Sequence, residues 1–186
     1  MFKTLFVIVG FTIETINSDH FQHSMMYLFF GLAWIIDFLI FFHLKLPKDL
    51  DYVCLCLAVA MEGILFKCHL YGLHTLEVIL HMFLVYVLAV AFVVRILEMN
   101  VKTTIFVSLL RPYFFILHGT WIFQVCVILY YPVSTPWDPE NYHNLMKTSI
   151  LFTCHCGVIF TAMVATYCLF PGYINKKTQL IAGTRN

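Results

Sequence analysis

Residues 76–97, with the sequence LEVILHMFLVYVLAVAFVVRIL, decide the fold of this chain. Charged or imidazole side chains interrupt this apolar run only at Glu77, His81 and Arg95. A helix of about 20 predominantly apolar residues is long enough to cross the hydrocarbon core of a bilayer. The run therefore predicts a transmembrane helix.

Further apolar blocks of this kind fill most of the chain. Hydrophobic residues make up 61% of the 186 positions and charged residues 11%, whereas soluble domains carry about 25% charged residues. Because the blocks are continuous rather than alternating, helices are favoured over a β-barrel. We predict an all-α, polytopic membrane helix bundle that forms a single domain over residues 1–186. Its six predicted transmembrane helices are residues 2–16, 24–42, 52–70, 76–97, 105–131 and 145–170.

The first block is short and has a second interpretation. Lys3 followed by an apolar run is also the pattern of a signal peptide. A small-residue cleavage motif does not follow, however, and Glu14 and Asn17 stand there instead. We therefore expect residues 2–16 to be retained as a helix.

Basic residues favour one side of the predicted membrane. Six spans place both termini on the same side, and that side collects all the Lys and Arg residues except Lys67 and Lys147. Since Lys and Arg near short connectors favour the cytoplasm, both termini are predicted to be cytoplasmic. The residues on this side are Lys3, Lys45, Lys48, Arg95, Lys102, Arg111, Lys176, Lys177 and Arg185.

The net charge and the positions of the cysteines indicate which partners and which thiol state to expect. The net charge of +1 gives no reason to expect a nucleic-acid partner. The expected partner is the lipid bilayer, in the secretory pathway or the plasma membrane, and a homo-oligomer or another membrane subunit is left open. The seven cysteines lie in or at the ends of apolar blocks, where we expect small hydrophobic thiols.

Ionisable side chains gather in the half of the membrane opposite the basic connectors. At 1.5 Å per residue, His81 lies about 9 Å, Glu62 about 13 Å and His155 about 15 Å inside their helices from that end. Glu62 shares a helix face with His69, as Glu77 does with His81. A tight turn joins these two helices and makes them antiparallel neighbours, so the four side chains could meet.

Imidazoles and carboxylates at such spacing are ligands for Zn²⁺ or iron, and they also form proton relays. Zn²⁺ is the cofactor considered, although neither an H-E-x-x-H motif nor a Cys/His knuckle specifies it. The predicted metal-ligating set is His23, Glu62, His69, Glu77, His81 and His155, and His118 and Gln124 near mid-membrane form a further polar cluster.

Some of these polar residues have a simpler explanation. A lone histidine in a membrane often only hydrogen-bonds between helices, which contributes about 1 kcal/mol. Asp37 is expected to pair with Arg95 or Arg111, and Glu98 is expected to do the same. A mid-bilayer carboxylate such as Glu62 costs several kcal/mol unless it is paired or protonated.

Several strings of residues resemble the transmembrane protein 45 family. The resemblance spans nearly the whole chain, and a cysteine-rich relative, the transmembrane epididymal protein group, also fits. The strings are HSMMYLFFG at residues 23–31 with Asp37 after it, EGILF at 62–66 with His69, Glu77 with His81, GTW at 119–121 with Gln124, and NLM at 144–146 leading to His155.

The resemblance implies a seven-helix membrane architecture and no agreed molecular activity. Against that pattern, the chain is expected to lack the family's first helix and following loop and to begin near the second helix. The loop before His23 is also shorter, and His118 stands where a glutamine is expected. The resemblance makes the predicted His/Glu set look like a family feature.

The leading functional hypothesis is a multi-pass, non-enzymatic membrane protein. Its lumen-side His/Glu cluster would handle ions or protons, or bind a structural metal. An alternative is a membrane-embedded, metal-dependent enzyme that modifies lipids, with Glu62 as general base. A second alternative is a scaffold or sorting protein whose polar residues only fix helix packing.

Overall fold

The computed structural model describes residues 21–100, 105–130 and 137–170, and describes side chains at 24–100, 109–130 and 137–170. Within these ranges the chain folds into five helices and no strand. They are α1 (Phe21–Phe41), α2 (Leu50–Cys68), α3 (Thr75–Asn100), α4 (Ile105–Tyr130) and α5 (Tyr142–Leu169).

The helices coincide with five of the predicted spans to within three residues at each end. Four of them, α1, α3, α4 and α5, are long and apolar enough to cross a membrane. Helix α2 has 19 residues but carries Asp51, Glu62 and Lys67, and it falls outside that group. The predicted first span, residues 2–16, lies outside the described residues.

Short connectors set the antiparallel order of the helices. The turn between α2 and α3 bends at Gly72, where a φ of 85° favours glycine because it has no Cβ. This confirms the tight turn that the sequence predicts. The loop before α5 contacts the N-terminal end of α3. There, Leu76 donates its backbone N–H to the carbonyl oxygen of Pro139 at 3.2 Å.

Glu140 from this loop also caps helix α3. Its carboxylate accepts a hydrogen bond from the Thr75 hydroxyl at 2.8 Å and another from the Thr75 backbone N–H at 3.3 Å. A carboxylate is favourable at a helix N-terminus, because the first backbone N–H groups lack helical partners and carry partial positive charge. The cap fixes the α4–α5 connector to α3.

Helix α3 is the centre of the bundle. It packs against α2, α4 and α5, whereas α1 packs against α2 alone among the described helices. Four leucines spaced four residues apart in the first half of α3 are buried: Leu76, Leu80, Leu84 and Leu88. This spacing follows from the helical period, which places residues four apart on one face.

Aromatic side chains fill the space between α3, α4 and α5. Trp121 is fully buried and donates its indole N–H to the carbonyl oxygen of Leu80 at 3.2 Å. The rings of Phe83 and Phe152 stack with centroids 4.4 Å apart, and Trp121 meets Phe152 edge-on at 4.8 Å. This cluster holds the three helices in a fixed arrangement.

The outer faces of the bundle are apolar. On α5, for example, Ile150, Val158, Phe160 and Val164 are all exposed. Contiguous exposed apolar surface is unusual for a soluble protein. On helices long enough to span a bilayer, such faces are suited to contact with acyl chains, and the chain is accordingly a membrane protein.

Candidate functional site

A cavity of about 1240 Å³ lies within the helical bundle. Its walls come from α1, α2, α3 and α4, and it separates α1 from α4, which do not contact each other. Most of the lining is apolar, but ionisable side chains occur along its length. Cavities that hold drug-sized molecules measure about 300–1,000 Å³, so this one is large enough for an amphipathic compound.

A charge cluster closes one end of the cavity. Glu98 accepts a hydrogen bond from Arg95 at 3.2 Å and another from Arg111 at 3.0 Å. The Tyr52 hydroxyl lies 3.5 Å from the same carboxylate and donates to it. The Arg95 guanidinium also lies over the rings of Tyr52 and Phe115, 5.8 and 5.9 Å from their centroids. The pairing predicted for Glu98 is confirmed.

Asp37 belongs to the same region. It lines this end of the cavity together with Asp51, Arg95 and Arg111. The topology explains the grouping: α1 and α3 end here, and α2 and α4 begin here. The charged end, as it is called below, consists of the lining residues Asp37, Asp51, Tyr52, Arg95 and Arg111, together with Glu98, which pairs with both arginines.

Glu62 lies midway along the cavity wall on α2. Its side chain is 5% exposed, and its Oε1 atom lies 3.4 Å from Nε2 of His118 on α4. The contact has an ion-pair distance without the geometry of a hydrogen bond. Within the described part of the chain, Glu62 Oε2 and His118 Nε2 have no hydrogen-bond partner. Buried polar atoms are nearly always bonded, so this pair is exceptional.

His81 lines the cavity beyond Glu62, towards the end opposite the charged end. Its Nδ1 atom lies 2.7 Å from the backbone carbonyl oxygen of Glu77. Because a carbonyl only accepts, Nδ1 carries the proton, and Nε2 of the neutral ring is left as an acceptor. The His81 ring lies 6.0 Å from that of His69 and 5.9 Å from that of Phe66.

His155 occupies a separate position between α5 and α4. Its Nε2 atom lies 2.8 Å from the hydroxyl oxygen of Thr120. Since that hydroxyl donates to the Ile116 carbonyl at 2.6 Å, it accepts from His155. The His155 ring also meets the Trp121 ring edge-on at 5.7 Å. These contacts join two helices, as expected for an interhelical histidine.

The predicted metal-ligating set is therefore divided. Glu62 lies beside His118, His69 lies beside His81, and His155 is bonded to Thr120. Among the residues that the structure describes, no three His, Cys, Asp or Glu side chains are close enough together to hold a metal ion. The side chain of His23 lies outside the described side chains, and Gln124 is half-buried on α4. The metal site stays a prediction.

The Glu62–His118 pair was not predicted from the sequence, which placed the two residues in different groups. One signal pointed to it: both positions were assigned to the interior of the bilayer at similar depth. The pattern could not show that α4 turns His118 towards α2.

Residues 48–168 match the family described as "Family of unknown function (DUF716)". The chain belongs to this family. The match covers α2 to the last turn of α5 and therefore includes Glu62, His118 and the arginines of the charged end. DUF716 is the family that includes the transmembrane protein 45 proteins, in agreement with the resemblance seen in the sequence.

Proposed function

We propose that this DUF716 protein is a multi-pass membrane protein that binds and releases protons at the Glu62–His118 pair. The observation that carries the proposal is the buried carboxylate of Glu62 beside the His118 imidazole, with one oxygen that no described residue bonds. Carboxylate–imidazole pairs inside membranes are components of proton relays.

The chemistry of the pair supports this role. With Glu62 ionised and His118 protonated, the two side chains form an ion pair. With the proton on Glu62 and His118 neutral, the same contact is uncharged. A second proton, or the loss of the shared proton, leaves a net charge in a region of low dielectric, which is expensive. The energy of the helices around the pair therefore depends on whether Glu62 and His118 together hold no proton, one proton or two.

The cavity provides the path to Glu62. It extends from the carboxylate to the charged end in one direction and to His81 in the other. The His81 imidazole at one end can exchange a proton, and the carboxylates and guanidiniums of the charged end can hydrogen-bond to water. Water in this cavity would join Glu62 to either side of the bundle.

The finer architecture also belongs to this proposal. We propose six transmembrane helices with both termini in the cytoplasm, in a protein that resembles the transmembrane protein 45 family. The charged end then faces the cytoplasm, because Lys45, Lys48, Arg95 and Arg111 are at this end and basic residues favour that side. The lipid bilayer, of the secretory pathway or the plasma membrane, is the partner that this architecture requires.

Infrared difference spectroscopy tests the proposal directly. Purified protein in detergent is taken through a series of pH values, and the C=O stretch of buried protonated carboxyl groups is recorded. We expect such a band to appear and disappear with pH in the wild type and to be lost in Glu62→Gln. His118→Leu should move the pH at which the band changes.

Glu140→Gln is the matched control. Glu140 lies in the loop before α5 with its side chain 62% exposed, and glutamine keeps an oxygen that can accept from Thr75. The band should be unaffected in this variant. A band that persists in Glu62→Gln, or the absence of any pH-dependent band in the wild type, would contradict the proposal.

A further inference from the structure

The His81 ring offers a hydrogen-bond acceptor at the cavity. Its Nδ1 atom is held by the backbone carbonyl oxygen of Glu77 at 2.7 Å, so Nε2 is the acceptor of the neutral ring. Among the described contacts, Nε2 of His81 has no hydrogen-bond partner. Unlike Glu62 Oε2 and His118 Nε2, it is not fully enclosed by protein. Because His81 lines the cavity, a donor on a bound molecule can reach this atom.

The surroundings of His81 favour an uncharged ligand. Among the described lining residues between His81 and the charged end, only Glu62 carries a charged group. Its Oε2 atom is enclosed by protein, and its Oε1 atom lies 3.4 Å from Nε2 of His118. A ligand charge in this apolar stretch would be costly, because the dielectric constant inside a membrane protein is low.

The remaining lining is suited to a hydrocarbon body. Phe66 lies next to His81, with ring centroids 5.9 Å apart. The rings of Phe30, Trp34 and Phe115 also border the cavity, which measures about 1240 Å³. Small-molecule sites are typically apolar, with a few polar groups that fix the orientation of the ligand. The donor that an uncharged lipid presents to such a group is commonly a hydroxyl.

We propose that the cavity binds an uncharged lipid alcohol, with its hydroxyl donating to His81 Nε2 and its hydrocarbon body extending past Phe66 towards Trp34. The polar head then lies at the end of the cavity opposite the charged end. This inference goes beyond the proposed function, because it uses His81 as an acceptor and does not require a proton on Glu62.

Isothermal titration calorimetry with decan-1-ol and its methyl ether tests the proposal. The protein is the full chain in detergent at about pH 8, so that imidazoles are neutral. Titration into detergent alone corrects for partitioning of the probes. The two probes share one hydrocarbon chain, but only the alcohol can donate a hydrogen bond. We expect the wild type to bind the alcohol about fivefold more tightly than the ether, as one neutral hydrogen bond contributes.

Substitution of His81 assigns that preference to its imidazole. His81→Phe keeps a ring of similar size and removes the acceptor, so the alcohol and the ether should bind with equal affinity. His81→Leu also lacks the acceptor and should give the same result. His143→Phe is the matched control, because His143 is exposed at the start of α5 and is not part of the cavity lining. It should keep the fivefold preference.

Each of several outcomes overturns the inference. They are the absence of decan-1-ol binding, equal affinities of the two probes for the wild type, and a preference that survives in the His81 variants or is lost in His143→Phe. Tighter binding of decylammonium or decanoate than of decan-1-ol would also overturn it. A general loosening of the cavity in a variant affects both uncharged probes alike and cancels in the ratio of their affinities.

The two proposals can fail separately. If the pH-dependent carboxyl band of Glu62 is present and the alcohol is not preferred over the ether, only the ligand inference fails. If that band is absent and the preference is found, only the proton function fails.

Discussion

Glu62 lines the cavity and Glu98 pairs with two arginines that line it, and the two glutamates are held in opposite ways. The Glu98 side chain is 11% exposed and accepts from Arg95, Arg111 and Tyr52. The Glu62 side chain is 5% exposed and has one imidazole at 3.4 Å. Among the residues that the structure describes, the more deeply buried carboxylate thus has the fewer partners.

This difference separates a structural charge from a functional one. A carboxylate that accepts from two guanidiniums joins its helices through charged hydrogen bonds, which are stronger than neutral ones. A carboxylate with an unsatisfied oxygen lowers the stability of the fold, and such costs are concentrated at functional sites. The comparison predicts that the two glutamates respond differently to the same substitution.

The largest effect is expected for Glu98→Gln. The substitution leaves the buried Arg95, whose side chain is 10% exposed, without its anionic partner. Removing one member of a buried ion pair costs about 3–5 kcal/mol. Arg111→Gln should cost less, about 0–1 kcal/mol, because the Arg111 side chain is 43% exposed and solvent screens its charge. Unfolding of the purified variants in detergent measures both. Equal losses in the two variants would contradict this ranking.

A smaller effect is expected for Thr120→Val, which removes the partner of His155. The bond joins two neutral groups at the interface of α4 and α5, and such interhelical bonds contribute about 0.6 kcal/mol on average. The same unfolding measurement applies, with Thr161→Val as the control. Thr161 donates only to the Gly157 carbonyl of its own helix in the described contacts. A loss above that of Glu98→Gln would mean that this histidine holds the bundle more strongly than the charged end does.

The smallest effect on stability is expected for Glu62→Gln. The change removes a carboxylate that is poorly paired, so the free energy of unfolding should stay within about 0.5 kcal/mol or rise. The pH-dependent carboxyl band should nevertheless be lost, as described above. If Glu62→Gln destabilises the protein as much as Glu98→Gln does, the distinction between the two glutamates is lost.

The local features of the fold could be predicted from the sequence. Residues 76–97 and the other apolar blocks predict the helices to within three residues, because span length is fixed by the bilayer and by helical rise. The turn at Gly72 makes α2 and α3 adjacent. The pairing of Glu98 with arginine follows from chain order, since Arg95 is one helical turn away and Arg111 lies in the first two turns of the next helix.

The candidate site could be predicted only in part. Glu62 and His81 were identified because ionisable residues are rare in apolar runs. The partner of Glu62 could not be identified, since His118 reaches it only through the rotation of α4 about its axis. The cavity was not predicted either. It results from the absence of contact between α1 and α4, which depends on how whole helices pack rather than on any local pattern.

Among the described helices, α1 packs against α2 alone, and it forms one wall of the cavity. In the described part of the bundle, displacing α1 sideways therefore breaks one helix interface and opens the cavity towards the hydrocarbon core instead of towards water. The width of the cavity would then follow the position of a single helix, and a change in bilayer thickness that tilts α1 would reach Glu62 without repacking α3, α4 and α5.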